Sequence, residues 1–229
     1  MESITRGVLV FDMDGVLVDV RDSYRATIVE VVRHFTGRTI EPELIQEYKN
    51  RGGWNNDWLL SQKMIFDLEG KEVRYQALVD VFQNYFLGTP SQGGLRLQER
   101  WIPRPDLLTE LSAKYDLAIF TGRLRAEAEH TLDRFAPGIV WTEIAADDTV
   151  PRPKPSPDGL LQIQRIHPGR ELLYFGDTID DAASARDAGV RFVGISHSGN
   201  PRQEELSTLL RQHGAVAVLE NINEIAEVL

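Results

Sequence analysis

The chain has 229 residues, a length that suits one compact core with room for a second small unit. Hydrophobic residues make up 42% and charged residues 26%, and no apolar run approaches the roughly 20 residues of a membrane-spanning helix, which argues against a membrane protein. A formal charge of −10 without a basic stripe disfavours nucleic acid as a partner, and the absence of cysteine excludes disulfides, thiol nucleophiles and cysteine zinc sites.

Residues Met1 to Gly7 lead straight into the apolar run Val8-Leu9-Val10-Phe11, which is too short for a signal peptide. The expected compartment is the cytoplasm. The run stops at an acidic cluster, Asp12-Met13-Asp14-Gly15, as a buried parallel strand does at the functional edge of its sheet. Similar runs recur at Leu117 to Phe120, Leu172 to Phe175, Val190 to Ile195 and Ala215 to Val218, with helix-like segments between them. This alternation predicts an α/β fold with a parallel sheet.

About 100 residues separate the first two strands, far more than a simple crossover needs, and they read as helical. Ile28, Val31, Val32 and Phe35 share one helical face before Gly37, Pro42 can open a second helix, and Leu78, Val81, Phe82 and Tyr85 mark another. We expect a Rossmann-like core from residues 1–18 and 97–229 and an α-helical insertion over 19–96. Val18 to Arg21 and the turn-rich Gly88 to Gly94 would be the linkers. Beyond them, Pro105 suits the first turn of a helix whose buried face carries Leu107, Leu108 and Leu111.

Four further segments bear on chemistry. Asp12 and Asp14 leave a buried strand two residues apart and meet Gly15, which lets the chain turn. The second strand ends in Phe120-Thr121-Gly122-Arg123, where a hydroxyl and a backbone N–H can reach a phosphoryl group and Arg123 reads as peripheral. Prolines stiffen Arg152-Pro153-Lys154-Pro155-Ser156-Pro157 around one ammonium group. Another strand ends in Gly176-Asp177-Thr178-Ile179-Asp180-Asp181, a second set of carboxylates. Each segment alone is also compatible with an ordinary turn, a helix cap or a solvated loop.

Together and in this order they resemble the four motifs of the haloacid dehalogenase superfamily, in the helical-cap subfamily that holds phosphoglycolate phosphatases and β-phosphoglucomutases. The resemblance implies a magnesium-dependent phosphatase acting on a small phosphorylated metabolite through an aspartyl phosphate. It implies Asp12 as nucleophile, Asp14 as acid/base, Thr121, Gly122 and Lys154 as phosphate binders, and Mg2+ held by Asp12, Asp177 and the Asp14 carbonyl with Asp181 in support. Asp180 is one residue out of phase and reads as a solvated or helix-initiating acid.

The insertion would then act as a lid that sets substrate choice. Its least core-like stretch runs from Lys49 to Trp58, and Arg51, Asn55 and Asn56 are the candidate specificity residues. Trp54 and Trp58 equally suit packing at helical spacing, and Asn56 or Asp57 suits a helix cap. The cap also resembles a subgroup linked with histidine biosynthesis, which adds histidinol phosphate to phosphoglycolate and sugar phosphates. His34, His130, His167, His197 and His213 form no ligand-like pair, so a zinc hydrolase is not indicated. A phosphomutase using the same aspartates is the enzymatic alternative, and a phosphoacceptor module without turnover is the alternative from another class. A dehalogenase lacks the second aspartate that Asp14 supplies.

Overall fold

In the computed structural model, which describes residues 7–89 and 91–229, the chain divides into two compact units, Met1–Val18 with Trp101–Leu229, and Asp19–Arg100. The reading of Met1 to Arg6 as no signal peptide lies outside the described residues.

The first unit is built on β1, Val8–Phe11, all four residues of which are buried. A strand covered on both faces has no solvent side, so its sequence is apolar throughout rather than alternating. It pairs in parallel with β6 (Asp116–Phe120) and β8 (Leu172–Gly176), with Val10 opposite Ala118 and Tyr174. β9 (Arg191–Ile195), β10 (Ala217–Leu219) and β7 (Trp141–Ala145) complete a six-stranded parallel sheet in the order β10-β9-β8-β1-β6-β7. The expected α/β fold is therefore present. β7 was not among the expected strands: Trp-Thr-Glu-Ile-Ala at the sheet edge has three half-buried residues and no apolar run to detect.

Val8 and Val10 point to one face of the sheet, as alternation along a strand requires. There they join Ala118, Phe120, Tyr174 and Phe192 in one cluster. Its other side is Leu160 and Ile163 of α7 (Asp158–Ile166), Ala182 and Ala185 of α8 (Ile179–Ala188), and Leu206 and Leu210 of α9 (Gln203–Gln212). Each fully buried leucine or isoleucine side chain among them is worth about 1.5–3 kcal/mol of transfer free energy. α5, Leu107–Ser112, buries Leu107, Leu108 and Leu111 as expected, but it starts after Pro105. Asp106 intervenes in a left-handed turn with φ 65° and accepts the first helical bond, from Glu110 N–H at 2.9 Å.

The second unit opens with a π-helical turn at Arg21–Arg25 and continues through α1 (Ala26–Thr36), α2 (Pro42–Asn50), α3 (Asp57–Glu69) and α4 (Tyr75–Leu87). Ile28, Val31 and Val32 form the buried face of α1, and Gly37 ends that helix with φ 74°, its N–H on the Arg33 carbonyl. Pro42 occupies the first turn of α2, where a missing N–H costs nothing because that group has no helical acceptor. The turn-rich segment after α4 pairs β3 (Gly88–Thr89) with β4 (Gln92–Gly93), and Pro90 lies outside the described residues. The short strands β2 (Val18–Asp19) and β5 (Arg100–Trp101) form a separate two-stranded sheet. Among the described residues no helix is long and apolar enough to cross a membrane.

Candidate active site

The acidic cluster forms because β1 lies between β6 and β8, so loops far apart in sequence leave the same sheet edge together. Asp12 extends the β1–β8 ladder by one bond, its N–H donating to the Phe175 carbonyl at 2.8 Å. The chain then turns sharply, with Leu17 and Val18 N–H groups returning to the Met13 carbonyl at 2.8 and 2.9 Å. Gly15 has φ 75°, and a Cβ built on it would lie 2.1 Å from Asp177 Oδ2. Only glycine satisfies both the backbone angle and that approach.

Lys154 is buried at 5% exposure, in the loop between β7 and α7. Its Nζ lies 2.9 Å from Asp12 Oδ1 and 2.6 Å from Asp181 Oδ1, with the Phe120 ring centroid 4.8 Å away. Asp181, in the first turn of α8, is fully buried. Its Oδ1 also accepts the Tyr174 hydroxyl at 2.6 Å, while Oδ2 accepts Asp177 N–H at 3.1 Å, Thr178 N–H at 2.9 Å and Thr178 Oγ1–H at 2.7 Å. Thr178 and Asp181 thereby form a reciprocal capping box at the start of α8.

Two buried carboxylates thus share one ammonium group. Burial pushes Asp12 up to about 7; Lys154 opposes that shift, and Asp181 and Asp14 add to it. Burial also acts against the charged form of Asp181, but Lys154, Tyr174 and Thr178 hold its carboxyl below the ordinary range. For Lys154 burial favours the neutral amine, yet Asp12 and Asp181 more than reverse this and raise it. Asp12, Asp177 and Asp181 each place a carboxylate oxygen within 4.8 Å of the others. The donor set is all oxygen and carries an uncompensated negative charge, which suits a hard divalent cation.

Thr121 closes β6, with its N–H on the Ala145 carbonyl at 3.0 Å, and its Oγ1 accepts Arg123 N–H at 3.2 Å. The half-buried Gly122 lies between them. Thr121 does not cap α6 (Arg125–Phe135), whose flanking residue is Leu124. Arg123 is not peripheral. Its side chain is 1% exposed, with Nε 2.7 Å and Nη2 2.6 Å from Asp14 Oδ1 and Nη1 2.8 Å from Thr131 Oγ1. Asp180 is the helix-initiating acid of the two expected readings, since it lies in the first turn of α8, and at 4% exposure it is not solvated. Asp147 follows the overlooked β7; burial pushes this half-buried carboxyl up, Asp148 adds to the shift and Lys154 opposes it. Arg123 lies in the second motif, but its role follows from contact with Asp14, 109 positions away, and no motif marks Asp147.

In the helical unit, Arg51 is exposed, ion-paired with Glu47 and 5.1 Å from the Tyr48 ring centroid. Asn55 offers its carbonyl to Lys49 Nζ at 3.2 Å, and its Nδ2 is shielded from solvent without a hydrogen bond among the described residues. Asn56 caps α3, accepting Trp58 and Leu59 N–H groups at 3.0 Å each. The nearby Lys49 is buried and ion-paired with Asp57 at 2.6 Å.

The family profile described as haloacid dehalogenase-like hydrolase matches residues 7–189. The chain belongs to the haloacid dehalogenase-like hydrolase family. As a member of this family it is similar to a Pseudomonas aeruginosa protein named Phosphoglycolate phosphatase 1, at 26% identity over 216 residues, 89% of this chain and 75% of that protein. It is also similar to a Phytophthora nicotianae protein named Imidazoleglycerol-phosphate dehydratase, at 32% identity over 200 residues. That match takes in 82% of this chain, which spans only 42% of the length of that protein. Among solved structures it resembles phosphatase Tt82 of Thermococcus thioreducens, with TM-score 0.65, 26% identity and coverage of 89% of this chain and 99% of that one. A haloacid dehalogenase-like protein of Agrobacterium tumefaciens shares the fold, with TM-score 0.72 at 19% identity over 97% of each chain.

Proposed function

We propose that the chain is a magnesium-dependent phosphatase of small phosphate monoesters, with Asp12 as the nucleophile. The observation that carries this reading is the shared buried environment of Asp12, Lys154 and Asp181, with Asp177 drawn against Gly15 beside it. Family membership and the names of the phosphatase relatives support the reaction class.

Asp12 and Asp177, with the Asp14 carbonyl, would hold the ion. Asp181 would serve in support, since both of its oxygens are already engaged by Lys154, Tyr174, Thr178 and a backbone N–H. When bound, magnesium would offset the charge repulsion between these carboxylates and a dianionic phosphate. Deprotonated Asp12 bonds to phosphorus as the bond to the ester oxygen breaks, and Asp14 gives that oxygen a proton. Water then attacks phosphorus and passes its proton to Asp14. The bond to Asp12 breaks and inorganic phosphate leaves. Thr121, the Gly122 N–H and Lys154 bind the phosphoryl oxygens, where positioning and electrostatics account for most of the rate.

Selectivity among esters is assigned to the helical unit, with Arg51 and Asn55 as contacts, and the relatives named phosphoglycolate phosphatase support phosphoglycolate as one candidate beside sugar phosphates and histidinol phosphate. The test is phosphate release from a panel of phosphorylated metabolites, histidinol phosphate included, with and without Mg2+. Release by the wild type and its loss in Asp12→Asn is the expected result. Substantial steady-state release by a pure Asp12→Asn preparation would end the assignment. Transfer of the phosphoryl group to a second hydroxyl, without free phosphate, would indicate a mutase instead.

A further inference from the structure

Arg123 stands outside the roles assigned so far, yet it is among the most thoroughly enclosed cations of the first unit. Its guanidinium is anchored at one end, Nη1 to Thr131 Oγ1 of α6 at 2.8 Å, and Thr131 is itself buried. The opposite edge, Nε and Nη2, meets Asp14, and both contacts fall on the same oxygen, Oδ1, at 2.7 and 2.6 Å. The arginine side chain is 1% exposed and that of Asp14 is 27% exposed. The carboxyl group therefore bridges from a buried anchor toward the open end of the sheet edge.

From this geometry we infer that Arg123 is the positioning residue for Asp14: it fixes the rotamer of the carboxyl group and reserves Oδ2 as the oxygen that gives and receives the proton. The chemistry follows from donor and acceptor inventory. A guanidinium only donates, so an oxygen that accepts its Nε–H cannot also carry a proton that points toward it. With Oδ1 held as an acceptor, Oδ2 is the oxygen left to carry the proton in the reaction. One orientation then serves both halves of the reaction. In the first, Oδ2–H goes to the departing ester oxygen as the phosphorus–oxygen bond breaks. In the second, Oδ2 receives the proton of the attacking water. A guanidinium tied to Thr131 at its far end gives Oδ1 a fixed seat for its Nε–H bond, which a flexible ammonium on a long stem does not.

The inference rests on the phosphatase reading, and the experiment separates the two. The ratio kcat/KM reports every step up to departure of the leaving group, and a nitrophenolate leaves without a proton whereas an alkoxide does not. Asp12→Asn, Arg123→Met and Thr131→Val are compared with wild type on 2-phosphoglycolate and on 4-nitrophenyl phosphate, with thermal midpoints measured alongside. Arg123→Met is expected to lower kcat/KM for the alkyl ester about a hundredfold, within the range general acid catalysis supplies, and for the aryl ester by less than about tenfold. Thr131→Val keeps the charge and cuts only the anchor, so it should show the same split at smaller size; it carries the test if Arg123→Met fails to fold. Equal losses on the two esters, in whichever of these variants folds, would overturn the inference and leave Arg123 as a structural ion-pair partner. If Asp12→Asn retained turnover, the phosphatase reading itself would fall, and that outcome is visible without the Arg123 variants.

Discussion

Lys154 Nζ sits closer to Asp181 Oδ1, at 2.6 Å, than to Asp12 Oδ1, at 2.9 Å. The ammonium group is thus anchored by the more heavily hydrogen-bonded acid and extended toward the other. Lys154→Met should consequently do more than remove a phosphate contact. It leaves two buried carboxylates without their cation, a class of change that costs about 3–5 kcal/mol. The thermal midpoint should fall in chelator and recover in part when Mg2+ is added, because a cation that binds only the folded state stabilises it by mass action. A midpoint insensitive to Mg2+ in this variant and in wild type would show that the acidic cluster holds no such ion.

The pH dependence of the metal-free protein should carry the signature of Asp12. Its folded carboxyl is raised to about 7, above the ordinary value of 3.8, so between these limits the folded state binds more protons than the unfolded one. The stability it contributes is present in acid and is lost as pH rises through about 7. Asp12→Asn should remove this slope. Thermal midpoints of both proteins in chelator from pH 5 to pH 8 measure it, and parallel curves would contradict the environment described for Asp12.

Gly15 and Gly37 share a left-handed backbone, with φ 75° and 74°, but differ in what an added methyl group would meet. Among the described residues nothing lies within 4 Å at Gly37, while at Gly15 there is Asp177 Oδ2 at 2.1 Å. Gly37→Ala should cost about 1 kcal/mol, the backbone penalty alone, with activity unchanged. Gly15→Ala should expel the Asp177 carboxylate and raise the half-saturating Mg2+ concentration by about tenfold or more. Similar activity losses in both variants would show that Gly15 matters only as a turn.

Asn56 serves the backbone of α3, so Asn56→Ala should lower stability by about 1 kcal/mol, the usual value of a side-chain cap. Its effect on kcat/KM for the preferred ester should stay within a few-fold. Arg51→Ala and Asn55→Ala should instead change KM across the ester panel with little change in thermal midpoint. A large selectivity change from Asn56→Ala at constant stability would return that residue to the substrate contacts.

Local pattern carried the reading where one stretch of chain decides the outcome. Val8 to Phe11 is buried on both faces and says so in four consecutive residues, and Gly37 and Pro42 mark helix ends by backbone restriction alone. Trp141–Ala145 carries no such signal because an edge strand needs no apolar run, and nothing local marks the loop that holds Asp147. Asp12, Lys154 and Asp177 could be read as chemical groups only together, because the order of the four motifs resembles the family pattern while each segment alone suits a turn, a cap or a loop. The pairing of Arg123 with Asp14, 109 positions apart, could not, because sheet order rather than local sequence decides which side chains meet.

Asp181 ties together three segments that enter the site separately: the loop bearing Lys154, the strand bearing Tyr174 and the turn bearing Asp177 and Thr178. These parts consequently form one indivisible module. A grafted 152–157 loop from a related enzyme would be seated correctly only in a host that already presents the same carboxylate, and redesign of this edge has to exchange all three segments or none.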